Sequence, residues 1–144
     1  MNVQSILGGK GNAVETIAQT ATVSDAVRRL GEQRIGALVV SGDGKAIEGI
    51  VSERDVVRAT AGSGGAALEQ SVGSIMSTDV VTCSCGDGVD QLMSLMTERR
   101  IRHLPVVDDA GHLAGIISIG DVVKARLTQL EHENEALAQY ISGR

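Results

Sequence analysis

The stretch Gly49-Ile50-Val51-Ser52-Glu53-Arg54-Asp55-Val56-Val57 returns 66 residues later as Gly115-Ile116-Ile117-Ser118-Ile119-Gly120-Asp121-Val122-Val123. Both copies read Gly-apolar-apolar-Ser-x-x-Asp: an apolar strand that runs into a serine at a helix start, with an acid three residues on. The same register extends outward without a gap and pairs Val14–Arg58 with Val80–Lys124. Identical pairs along it include Val14/Val80, Thr16/Thr82, Val23/Val89, Glu32/Glu98, Arg34/Arg100, Ile35/Ile101, Leu38/Leu104 and Val40/Val106. Such a repeat means two copies of one supersecondary unit packed together.

Each copy predicts the same elements. A short strand (Val14–Ile17; Val80–Cys83) precedes a helix. Its apolar positions, Val23, Ala26, Val27 and Leu30 or Val89, Leu92, Met93 and Met96, have the 3–4 spacing of one buried face. Thr22 or Ser24 caps the first of these helices. An apolar strand follows (Ala37–Val40; Leu104–Val107), then an Asp- and Gly-rich turn (Ser41–Lys45; Asp108–Gly111) and a second strand (Ile47–Val51; Leu113–Ile117), together a hairpin. A helix from Ser52 or Ser118 completes β-α-β-β-α, so the class expected is α+β with tandem repeats. Ala61-Gly62-Ser63-Gly64-Gly65 is flexible by composition, and Leu68–Met76 is expected to form a short helix. The chain divides into residues 1–61 (first repeat with an N-terminal segment), 62–76 (linker and short helix), 77–124 (second repeat) and 125–144 (helical tail).

Composition narrows the function classes. The 144 residues include no Trp or Phe and a single Tyr, Tyr140, so Val, Ile, Leu, Ala and Met must build the core. A net charge of −5 with scattered basic residues argues against nucleic acid and anionic membrane as partners. The N-terminus lacks a basic start and an apolar run, and no stretch approaches the ~18 apolar residues of a membrane helix; a cytoplasmic location is expected. Cys83 and Cys85 read as structural thiols, because a lone Cys-x-Cys is a weak metal signal, and no metal is expected.

The Ser-x-x-Asp motif admits two accounts. In one it is a capping box that satisfies helix-start amides with no ligand. In the other, the helix N-terminus and the Ser52 or Ser118 hydroxyl hold a phosphate, and the Asp55 or Asp121 carboxylate accepts from a pair of ribose hydroxyls. The glycine leaves room for a base, and Ile50 or Ile116 gives it an apolar floor.

The β-α-β-β-α order, the Gly-x-x-Ser-x-x-Asp ending and the segment Ile101-Arg102-His103-Leu104-Pro105-Val106-Val107-Asp108 resemble the CBS domain, the cystathionine-β-synthase type of module that occurs in pairs (Bateman modules). The resemblance covers about 90 of the 144 residues and is to the stand-alone bacterial type. It implies two repeats about a pseudo-twofold axis, with adenine nucleotides bound in the clefts between them. By that analogy Asp55 and Asp121 hold riboses, and Ser52 and Ser118 lie near the α-phosphate. Arg102 and His103 would present basic groups to phosphates, a task that suits a guanidinium. The first repeat has Gly36 and Ala37 there, so the clefts differ, and one fully equipped site is expected. Thr16 and Thr82, ending the first strands, are further candidates for contact with base or ribose, against plain strand propensity.

Beyond Asp121 a helix is expected to continue to about Ser142. Val123, Leu127, Leu130, Asn134, Leu137 and Ile141 alternate at spacings of 4 and 3, a coiled-coil seam in which a buried Asn fixes register. The competing reading packs the same stripe on the chain's own domain. A homodimer is expected. The leading expectation is a regulatory module that senses AMP or ATP, with an NAD-type dinucleotide as a further candidate, and acts on a separate protein target. A ligand-free oligomerisation scaffold is the alternative. An enzyme has less support: no Walker loop or nucleophile elbow is present, and His103, His112 and His132 lack a metal-ligand spacing.

Overall fold

The computed structural model describes residues 1–143. Its first element lies outside the repeat: helix α1 (Val3–Lys10), capped by Asn2, whose side-chain oxygen accepts from the Ser5 amide at 3.0 Å. The first repeat follows as β1 (Thr16–Ile17), α2 (Val23–Gln33), β2 (Ala37–Val40), β3 (Gly49–Ser52) and α3 (Glu53–Ser63). A 3-10 helix (Gly64–Glu69) and the one-turn α4 (Val72–Ile75) lead to the second repeat. That repeat comprises β4 (Cys83–Ser84), α5 (Val89–Arg99), β5 (His103–Val107), β6 (Leu113–Ser118) and α6 (Ile119–Ser142). Both repeats are β-α-β-β-α, and the fold is α+β.

Each repeat builds a three-stranded sheet around its apolar strand. β2 pairs parallel with β1 and antiparallel with β3, and β5 pairs likewise with β4 and β6. All four residues of β2 are buried, which is why this strand reads as an unbroken apolar run. Thr22 caps α2, its hydroxyl accepting from the Asp25 amide at 3.1 Å. α2 and α5 both end on a left-handed arginine, Arg34 (φ 54°) and Arg100 (φ 53°), so the repeat preserves even this unusual backbone turn.

Three expectations are corrected. The first strands are shorter and later than the repeat suggests, because only two residues of each find a partner: Thr16 and Ile17 opposite Val39 and Val40, Cys83 and Ser84 opposite Val106 and Val107. Thr16 therefore opens its strand and Thr82 stands just before its own; neither ends one. The glycine-rich stretch is helical rather than a loop, since α3 runs through Ser63 and the 3-10 helix buries Ala67 completely. Tertiary packing overrides composition there. Val27 is 39% exposed, leaving Val23, Ala26 and Leu30 as the buried stripe of α2.

The segment preceding each repeat packs on the other one. Val3 and Leu7 of α1 lie in the second repeat's core with Leu92, Met96, Leu104 and Ile117. Val72 of α4 lies in the first repeat's core with Leu30, Leu38 and Val51. The backbone repeats the exchange: Asn2 bridges to Gly88, and Ser71 to Thr22, the repeat mate of Gly88. Neither core is complete without chain from beyond its own repeat, so the two halves are interlocked.

Candidate functional site

Hairpin register sets the site. In the antiparallel pairing Ala37 stands opposite Ser52 and His103 opposite Ser118, so the residue opening each apolar strand lies beside the serine that starts the next helix. The first helical amide is taken by the neighbouring strand: Ile119 donates to the Arg102 carbonyl at 2.8 Å, and Glu53 to the Gly36 carbonyl at 3.1 Å. Both Ser-x-x-Asp pairs form complete capping boxes. The Asp121 amide donates to Ser118 Oγ at 3.2 Å and the Ser118 amide to Asp121 Oδ2 at 2.8 Å. The Ser52–Asp55 bonds are 3.4 and 2.8 Å. The capping account is thus what the structure displays, and a ligand would have to engage groups that already serve as caps.

The glycine of the motif has a different use from the one expected. A β-carbon at Gly49 would lie 2.7 Å from Met76 Sδ, and one at Gly115 would lie 2.9 Å from Leu7 Cδ2. The space over each strand is filled by the segment crossing from the other repeat, so these glycines admit Met76 and Leu7 rather than a base. Ile50 and Ile116 are half-buried beside them.

The two carboxylates sit in unlike surroundings. Asp55 is 8% exposed, and its Oδ1 accepts from the Ser77 hydroxyl at 3.3 Å. Asp121 pairs with the Lys10 ammonium at 2.7 Å, and Lys10 also donates to the Ile116 carbonyl at 3.0 Å. Burial works to raise the Asp121 carboxyl; the Lys10 ammonium and the Ser118 amide and hydroxyl outweigh it and hold the group below its ordinary value. The His103 imidazole is held low by burial first and then by the Arg102 charge, Lys10 adding to the effect and Glu53 and Asp121 opposing it. Lys10, Asp121 and Ser118 are joined by hydrogen bonds, His103 pairs with Ser118 across the hairpin beside Gly36 of the other repeat, and the charge of the exposed Arg102 reaches the His103 ring. The first repeat has Gly36 and Ala37 where the second has Arg102 and His103, and the His103 ring occupies the space over Gly36.

Other candidates stand apart. The Thr16 carbonyl accepts from Arg29 at 2.7 Å, tying β1 to α2. Thr82 is exposed. Cys83 lies in the second core, where burial pushes its thiol up to about 12. Among the described residues no three of His, Cys, Asp and Glu are grouped as metal ligands. An open cleft of about 660 Å³ lies between α1 and the β4 end of the second sheet, lined by Leu7, Gly8, Asn12, Cys85 and Asp108. None of the sequence-predicted site residues lines it. Lys10 and Ser77, which bond to the two carboxylates, were missed because they lie in the crossing segments. The helices of these segments match at 69 residues rather than 66, as Val3/Val72, Ser5/Ser74 and Ile6/Ile75 show, and Lys10 and Ser77 lie where the two registers part, paired with each other in neither.

The repeat-by-repeat geometry agrees with a family model: the CBS domain matches residues 12–62 and again 72–128. The chain belongs to the CBS-domain family. The crystal structure of a CBS-domain containing protein from Agrobacterium tumefaciens matches at a TM-score of 0.84 and 46% identity, covering 88% of this chain and 99% of that one. A CBS domain protein from Pyrobaculum aerophilum, solved in complex with AMP, matches at a TM-score of 0.73 and 28% identity, covering 84% and 89%. A mitochondrial CBS domain-containing protein of Arabidopsis thaliana is 40% identical over 126 residues, which are 85% of this chain and 61% of that relative's length. Among the described residues no helix of this CBS pair is long and apolar enough to cross a membrane.

Proposed function

We propose that this CBS pair is a regulatory module that binds adenine nucleotides, AMP or ATP, in the clefts between its repeats and passes the bound state on through a homodimer. The observation that carries the reading is the gathering of Lys10, Arg102, His103, Ser118 and Asp121 at one hairpin end, next to the other repeat. Lys10 and Arg102 carry the positive charge that suits phosphate, the neutral His103 imidazole adds a ring N–H donor, and a carboxylate suits ribose hydroxyls. The relative from Pyrobaculum aerophilum, solved in complex with AMP, supports the ligand class. Asp121 is the ribose group of the equipped cleft and Asp55 its counterpart in the other, where Gly36 and Ala37 add no charge and an NAD-type dinucleotide would have to displace the His103 ring from over Gly36. A regulatory role is favoured over a catalytic one because both acids are held as matching caps, not as an unlike acid and base.

Signalling requires that a ligand favour one dimer arrangement over another, typically by about 1–3 kcal/mol. The repeat mates Val57 and Val123 are 66% and 41% exposed on their helices, apolar surface suited to a second copy. A separate protein would read the result.

The complete capping boxes favour a second reading, a scaffold whose serines and aspartates do nothing more. Thermal melts with AMP, ATP, NAD and S-adenosylmethionine separate the two, since a ligand that binds only the folded chain raises its melting temperature. Stabilisation that Asp121→Ala abolishes supports the nucleotide module. No stabilisation by any of the four, with no nucleotide found by mass spectrometry in the purified protein, supports the scaffold.

A further inference from the structure

One ammonium does in the second repeat what a serine does in the first. The Ser77 amide donates to the Ile50 carbonyl at 2.9 Å, and the Ser77 hydroxyl donates to Asp55. At the repeat mates Ile116 and Asp121 both donations come from Lys10 Nζ. The substitution has an origin in the chain. Because the crossing segments match at 69 residues and the repeats at 66, the first copy carries three extra residues between Leu7 and Val14, and Lys10 stands in that stretch.

The replacement changes what a ligand meets. Ser77 holds Ile50 through its backbone and cannot leave without unpairing the chain. Lys10 sits at the last turn of α1 with its side chain 35% exposed, while Val3 and Leu7 keep the helix anchored. Its ammonium can give up Asp121 and the Ile116 carbonyl for another acceptor while α1 stays docked. A neutral nucleoside whose ribose took Asp121 would strip Lys10 of its counter-ion beside Arg102 and His103. A nucleotide doing the same brings a phosphate that receives the ammonium.

Resting on the nucleotide reading of this cleft, we propose that Lys10 is a specificity-determining residue that bars neutral nucleosides from Asp121 and closes on the phosphate of an anionic nucleotide. The first cleft, with Ser77 in this place, has no such filter.

Calorimetric titration of the full chain with AMP and with adenosine, wild type against Lys10→Met, reads the ratio of the two affinities. The expected result is that AMP weakens about tenfold, the worth of one charge-assisted hydrogen bond. Adenosine holds or tightens, and Lys10→Arg restores the preference for AMP. An unchanged ratio, or equal weakening of both ligands, would overturn the proposal and leave the nucleotide reading standing. A wild-type chain that binds neither ligand overturns both. If Lys10→Met fails to fold, Lys10→Gln, which retains a hydrogen-bond donor without the charge, carries the same comparison.

Discussion

His103 of the second repeat lays its ring over Gly36 of the first, so closely that a β-carbon on Gly36 would stand 2.8 Å from Cε1 and 3.0 Å from Nε2. Gly36 is the repeat mate of Arg102. What the first repeat lacks at this position is therefore the space that the second repeat's imidazole occupies, and the difference between the two copies is also the contact between them. Gly36→Ala is expected to drive the ring outward. Because the ring is only half-buried it can give way, so urea denaturation should show a loss of only about 1 kcal/mol. AMP affinity should fall several-fold as His103 leaves the Ser118 side of the cleft. A variant that binds AMP as the wild type does would detach His103 from the ligand site.

The same imidazole sets a pH dependence. His103 is held below its ordinary 6.5 by burial and by the Arg102 and Lys10 charges, against Glu53 and Asp121. As pH falls below about 6.5 the unfolded chain takes up the proton before the native one does, so stability drops with pH in that window. Above it the group is neutral in both states and contributes nothing. Asp121 acts in a separate, more acid range: held below its ordinary 3.8, it stabilises the fold until pH falls through its native value. The urea midpoint of the wild type should decline between about pH 7.5 and about pH 5.5, and that of His103→Gln should decline less. Parallel declines would mean that the ring is free to charge in the native state.

The repeat made most of the fold legible because each copy repeats its own local signals: the 3–4 stripe of α2 and α5, the Asp- and Gly-rich hairpin turn, and the serine before α3 and α6. These are short-range effects of residue type. The exchange of α1 and α4 was not legible, since Val3 and Leu7 bury themselves against residues roughly a hundred positions away, and eight residues of α1 with two glycines show little periodicity. The site was half legible for the same reason. Ser118, Asp121, Arg102 and His103 are brought together by hairpin register, which sequence patterning specifies. Lys10 reaches Asp121 only through the crossing, and the role of Gly49 and Gly115 follows from what crosses over them.

α1 is consequently a test of interlocking. Terminal segments commonly fray, and removing a methyl from one costs little. Val3 instead has no exposed surface in the second core, and its amide donates to the Asp87 carbonyl at 3.0 Å. Val3→Ala should cost about 2 kcal/mol in global stability, two lost methyl groups plus the cavity they leave. Chemical denaturation that remains a single transition while shifting to lower urea would bear this out; a cost near zero would mean that α1 is docked only loosely.

The tail decides between the two readings of its stripe. Packing of α6 on its own domain engages Val122 and Ala125, whereas Leu127, Leu130 and Leu137, all on the seam, are 56%, 38% and 57% exposed. A 24-residue helix that leaves such a row to solvent suits a second copy, and Asn134 falls between Leu130 and Leu137 on that row. Sedimentation equilibrium should find a dimer that Leu127→Ser combined with Leu130→Ser returns to monomer, with little loss of monomer stability because neither side chain belongs to a core. Asn134→Leu separates a seam from a mere sticky face. On a seam, removing the buried amide strengthens association but relaxes register, so the variant should melt higher and sediment as a mixture of oligomers. Were Asn134 solvent-facing in the assembled protein, the same change would leave both melting and oligomer size as they are. A wild-type chain that stays monomeric across the accessible concentration range would remove the tail from any signalling role.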